Sequence, residues 1–162
     1  MRHLAELFPI PVAGFDLESI DENINDIIDH ISSLDAIQQG ENGSLSNDQQ
    51  VLNNPIFDNV KKEVYAHLND YINYCNHNIE GVKIVSSWSN VVNKKEHIHT
   101  HWHENSYISG VIHLTGGSDL VIKKPLIKQL FKIDTEYKDH EQSEFRISAK
   151  QGQLVLFPSM LP

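Results

Sequence analysis

Thiols are nearly absent: Cys75 is the single cysteine among 162 residues. An intrachain disulfide is therefore excluded, and a reducing cytosol is the natural home of such a chain. Long apolar runs are also missing. No stretch approaches the ~18 residues needed to cross a bilayer, and the start carries no signal-peptide pattern, so a cytoplasmic protein with no membrane partner is expected. Positive charge is scarce. Thirteen Lys and Arg face 22 Asp and Glu for a net charge of −9, which argues against nucleic acid as a partner. Lys94-Lys95 and Lys123-Lys124 are isolated pairs that read as solvated. Internal repeats and low-complexity tracts are lacking too. What remains, 40% hydrophobic and 22% charged, reads as one domain over residues 1–162 with a real core.

Two textures divide the chain near residue 81. LFPIPVAGF, with two prolines, reads as an extended arm or edge strand. A helix of about twenty residues is expected over LESIDENINDIIDHISSLDAI, where Ile20, Ile24, Ile27, Ile28, Ile31 and Leu34 keep helical spacing and Asp16 or Ser19 can cap. QQGENGSLSNDQQ has no periodicity and reads as a loop. A second helix is expected from Phe57 to Cys75, with Val60, Val64, Leu68 and Ile72 on one face, Cys75 small and buried, and Gly81 beyond its end. From Val82 onward, VKIVSSWSNVV, HIHTHWH, SYISGVIHL, SDLVIKK, LIKQLFKI, EFRISA and QLVLFP are short β-branched or aromatic segments between turn residues. Helices followed by a β core give an α+β chain, with residues 1–81 the arm and helices and 82–162 the β core.

The chemistry-bearing segment is EHIHTHWHENSYISG. His97, His99, His101 and His103 alternate with period two, so a strand would put all four on one face. Neutral imidazole is a ligand for iron, zinc, copper and nickel. In a strand, residues i and i+2 lie about 6.6 Å apart and can share a metal, whereas His97 and His103 would lie roughly 20 Å apart and cannot. One H-x-H pair is thus the candidate site, and the other two histidines need separate explanations. The competing reading is a histidine-rich exposed strand, since 10 of 162 residues are histidine. Trp102, on the opposite face, is expected in a core. Asn105-Ser106 is a turn pair, and Gly110 inside a strand marks close backbone approach.

Read together, the segments resemble the Fe(II)/2-oxoglutarate oxygenases of marine bacteria and cyanophages. The residues that carry the likeness are Leu7-Phe8-Pro9-Ile10-Pro11; Trp88-Ser89-Asn90; the core His101, His103, Asn105, Ser106, Ser109, Gly110, Val111 and Leu114; LVIKKP; and the closing stretch from Gly152 to Leu161. The resemblance implies a double-stranded β-helix (jelly-roll or cupin-like) core with the N-terminal helices packed on it. It implies His101 and His103 as iron ligands, with Asn105, Ser109 and His113 lining the cosubstrate pocket. Iron(II) and 2-oxoglutarate are then the implied cofactors, and the reaction is hydroxylation of a small-molecule or peptidyl substrate as 2-oxoglutarate is decarboxylated to succinate.

This chain departs from the family pattern in three ways. The family's distal histidine ligand and its carboxylate-binding arginine would fall beyond Pro162, as would the last strands. A fragment, a shortened chain or a completing partner is therefore expected, with poor activity alone. His113 stands where the family prefers tyrosine. The usual H-x-D or H-x-E becomes His101-x-His103, and Glu104 reaches the same face only through a bulge. Two other readings stand beside the oxygenase: a non-catalytic jelly-roll binding module, and a cupin-like enzyme using a third histidine such as His113 or His99. Missing strands would leave open edges, so a homodimer is expected.

Overall fold

The computed structural model describes residues 10–39, 42–77, 79–123 and 144–162. Leu7-Phe8-Pro9 of the arm and the expected strand LIKQLFKI lie outside them.

The central element is β8 (Gln153–Pro158). Its run QLVLFP is apolar on both sides because both sides are covered, as in a buried strand. Strand β1 (Ala13–Asp16) pairs with it antiparallel, Ala13 opposite Leu156. Strand β5 (Ile108–His113) pairs antiparallel on its other edge, with Ser109 opposite Phe157, Val111 opposite Val155 and His113 opposite Gln153. The end of the arm, residues 13–15, thus lies in an edge strand. β8 is the middle strand of this sheet.

Alternation sorts this sheet into two faces. Leu154 and Leu156, with Ala13, Phe15, Ile108 and Ile112, pack into the larger core with the helices. Val155 and Phe157, with Val12 and Val111, join Ile122, Leu161, Leu120 and Ile147 in a second core. The last group belongs largely to a two-stranded antiparallel sheet, β6 (Asp119–Lys123) with β7 (Glu144–Ser148), in which Leu120 faces Ile147. The β1-β8-β5 sheet therefore lies between a helical layer and a second sheet. Mixed helix and antiparallel sheet is the α+β arrangement the sequence calls for.

The expected twenty-residue first helix is instead α1 (Glu18–Asp21), a break at Glu22-Asn23, and α2 (Ile24–Ser33). The buried Ile20, Ile27 and Ile31 keep their spacing across the break, which is why periodicity does not reveal it. Neither Asp16 nor Ser19 caps α1. Its first amides are taken by a distant side chain: Glu63 accepts from Glu18 N at 2.8 Å and Ser19 N at 3.0 Å. Ala36 and Ile37, at the end of the expected helix, and Gln38, at the start of the expected loop, instead form β2 (Ala36–Gln38). The supposed loop contains β3 (Ser44–Ser46), which pairs with β2 and with β4 (Asn90–Val91). This small sheet is held by polar contacts, including Ser89 N to Ser46 Oγ at 3.0 Å, and so leaves no apolar signature. Gly43 turns the chain at φ +74°, where a Cβ would strike the Val91 carbonyl.

Helix α3 (Asp58–Tyr74) matches expectation, burying Val60, Val64, Leu68, Tyr71 and Ile72. Its stop is Asn76 rather than Gly81. Asn76 adopts φ 53°, and His77 N returns to Ile72 O at 3.2 Å, the six-to-one bond that closes a helix end. Cys75 is half-buried at that end, packed on the larger core. The buried Tyr71 hydroxyl donates to Pro11 O at 2.9 Å, tying α3 to the arm.

Candidate metal centre

The four alternating histidines precede β5. Contrary to the strand expected over HIHTHWH, residues 97–103 make no ladder among the described residues, and Trp102 is 60% exposed rather than in a core. Local contacts, not a sheet, hold the segment together.

Two of the four rings converge. His101 Nε2 and His103 Nε2 are 3.1 Å apart, while the ring centroids are 4.9 Å apart with planes 13° from parallel. Centroids farther apart than the nitrogens mean that the nitrogens point inward. His101 Nδ1 lies 2.8 Å from the His99 carbonyl oxygen. A carbonyl only accepts, so Nδ1 carries the proton and Nε2 keeps its lone pair. In that tautomer His101 accepts a hydrogen bond from His103 Nε2–H. With the His103 proton shifted to its Nδ1, a cation would find two nitrogen lone pairs already aimed at it. Two nitrogens about 2.1 Å from one ion and at right angles are about 3.0 Å apart, so the spacing fits a first-row divalent metal.

Trp88 supports one side, with its ring 5.4 Å from that of His103. Burial, and secondarily the neighbouring His101, push the His103 pKa below the ordinary imidazole value. A depressed pKa keeps the ring neutral, the form a metal requires.

The remaining sequence candidates fall elsewhere. Asn105 is an exposed turn residue at φ 60°, a left-handed conformation that asparagine tolerates. Ser106 Oγ donates to Ile108 O at 2.9 Å and so shapes the entry to β5. Ser109, 4% exposed, shares a 2.8 Å hydrogen bond with the hydroxyl of the equally buried Ser159. His113 lies on the same face of β5, and burial lowers its pKa. Among the described residues its Nε2 has no hydrogen-bond partner, and neither does Oε1 of Gln153, its cross-strand neighbour. Among the described residues no hydrogen bond or ring contact joins the His101–His103 pair to Asn105, Ser109 or His113, and no group of three His, Cys, Asp or Glu side chains is arranged to hold a metal. The three-histidine arrangement using His113 or His99 is thus not assembled among them. Among the described residues Glu104 makes no hydrogen bond or salt bridge to the pair either.

Sequence reasoning missed Gln153. Its signal was polarity at an inward position of an otherwise apolar strand. The Trp88 contact had no signal beyond a tryptophan near a histidine run.

Residues 86–162 match a family described as "Putative 2OG-Fe(II) oxygenase". The match covers just under half of the chain and takes in Trp88, His101, His103, Asn105, Ser109 and His113. No curated protein matches the chain. No helix of the described residues is long and apolar enough to cross a membrane.

Proposed function

We propose that this chain carries the Fe(II)-binding half-site of a 2-oxoglutarate-dependent oxygenase that hydroxylates a small-molecule or peptidyl substrate. The observation that carries the reading is the convergence of His101 Nε2 and His103 Nε2 at 3.1 Å, with His101 locked in its ligating tautomer by the His99 carbonyl. The family match over residues 86–162 supports the same chemistry. Bound iron supplies the redox chemistry that couples 2-oxoglutarate decarboxylation to C–H hydroxylation. His101 and His103 would hold it; the third protein ligand is not among the described residues.

In this reading the β5–β8 pair and the β6–β7 pair are facing parts of a jelly-roll in one domain, and the face of β5 bearing Ser109 and His113 looks into its interior. Two observations support a polar spot beside that apolar core: among the described residues neither His113 Nε2 nor Gln153 Oε1 has a hydrogen-bond partner. Buried groups of this kind cost about 1–3 kcal/mol each unless something binds them. His113 and Gln153 then offer a cosubstrate one ring nitrogen and one amide, Ser109 a hydroxyl at the far end of the same strand face, and Asn105 the turn that follows the metal ligands. The chain acts as a homodimer, in keeping with β5, whose second edge has no partner strand among the described residues.

The test is turnover. The chain with Fe(II), ascorbate, oxygen and 2-oxoglutarate should form succinate above the metal-free background, and His101→Ala should abolish it. Succinate formation that is equal in the variant would remove the proposal.

A further inference from the structure

The His101–His103 pair uses two of the four alternating histidines and leaves His97 and His99 without a role. Their rings lie 5.0 Å apart between centroids, nearly the spacing of the converging pair, with planes at 85°. Both side chains are exposed, and among the described residues none of their ring nitrogens makes a hydrogen bond. The neighbouring Glu96 is already engaged, accepting from Asn93 N at 2.7 Å. Two unengaged imidazoles two residues apart, meeting edge to face and exposed so that each ring is free to turn, offer a bidentate donor set open to solvent.

We propose that His97 and His99 form a second cation site, separate from the His101–His103 pair, that takes a borderline first-row dication such as Ni2+, Cu2+ or Zn2+. The donor set favours these ions because imidazole nitrogen without carboxylate follows the order in which affinity rises toward copper. The site does not depend on oxygenase chemistry. It is the weaker of the two, because both rings are exposed and free to change rotamer, whereas His103 is half-buried against Trp88. The two sites share a structural link. The His99 side chain serves the outer site, and its backbone carbonyl receives the His101 ring N–H at 2.8 Å. An ion that orders His99 therefore also fixes the acceptor that orients His101, so filling the outer site should tighten the inner one.

Titration of the whole chain with Ni2+ tests this, read by calorimetry and by the ring C–H resonances of each histidine. The wild type should bind one more equivalent than His97→Ala/His99→Ala, and the His97 and His99 signals should broaden together at a higher Ni2+ concentration than those of His101 and His103. In His101→Ala/His103→Ala the His97 and His99 broadening should persist, which separates this site from the oxygenase reading. Equal stoichiometry in the wild type and the His97→Ala/His99→Ala variant, or His97 and His99 signals that stay sharp throughout, would overturn the proposal. All four positions are surface or half-buried, and circular dichroism confirms that each variant is folded before its titration is read.

Discussion

The Nε2 atoms of His101 and His103 stand 3.1 Å apart while their ring centroids stand 4.9 Å apart, so the two imidazoles point at one place. Either the shared proton of a hydrogen bond or a metal occupies that place. Removing one ring removes half of the described donor set. His101→Ala and His103→Ala should each weaken divalent-metal binding at least tenfold, and the double variant should lose little more than either single one, because the two act as a unit. Calorimetry on the three variants checks this; additive losses would mean that the rings bind separately.

Protons compete with the metal. The His103 pKa is lowered by burial and then by His101, so its ring stays neutral to a lower pH than an ordinary imidazole. Its C–H resonance should titrate below the usual 6.5. Trp88→Ala, which exposes the ring, should move that midpoint back up, and metal affinity near pH 6 should fall with it.

His113 gives a stability signature of its own. Burial lowers its folded pKa from 6.5, while the unfolded chain keeps the ordinary value. The unfolded state therefore takes up the proton first as pH falls. Stability contributed by neutral His113 is complete above about 6.5 and is lost as the pH drops from there through the folded value. Urea unfolding at pH 7.5 and 5.0 should show a larger acid penalty for the wild type than for His113→Leu, which has nothing to protonate.

Glu63 behaves in the opposite sense. Burial raises its pKa, but hydrogen bonds from Ser19 and Glu18, with nearby His67, outweigh that and bring it below 4.5. The charged carboxylate therefore stabilises the fold above about 4.5, and the benefit disappears as pH falls through the lowered folded value. Glu63→Gln should cost about 1 kcal/mol at pH 7, the usual scale of a helix cap, and much less at pH 3. Chemical denaturation at the two pH values decides it.

Gly110 sits where β5 passes β8. A Cβ there would meet Leu156 Cδ2 at 3.0 Å and Leu154 Cδ1 at 3.6 Å, on the side packed against the helices. Gly110 itself is exposed, and Gly110→Val should cost about 1–3 kcal/mol by crowding the Leu154 and Leu156 side chains beside it. A melting temperature equal to the wild type would show that the leucines simply move aside.

Legibility in the sequence followed the hydrophobic signal. α3 and β8 are strongly patterned, and both stand close to where the pattern puts them. Gly110 was readable as a close approach, and a Cβ there would meet Leu156 Cδ2 at 3.0 Å. The break between α1 and α2 was invisible, since Ile20, Ile27 and Ile31 stay in phase across it. The β2-β3-β4 sheet was invisible because serine hydroxyls and backbone ladders hold it. At the site, alternation singled out the four histidines, but not which two converge. That choice depends on the His99 carbonyl holding one ring and Trp88 backing another; the first is a local side-chain geometry and the second a tertiary contact, and alternation encodes neither. His113 was singled out by position in a motif, while its unpartnered neighbour Gln153 emerges only from the strand register.

Anaerobic Fe(II) titration with and without 2-oxoglutarate, beside His101→Ala, tests the central claim most directly. The account predicts Fe(II) binding that strengthens when 2-oxoglutarate is present and is lost in the variant. Fe(II) binding that ignores 2-oxoglutarate, or that survives loss of His101, would contradict it.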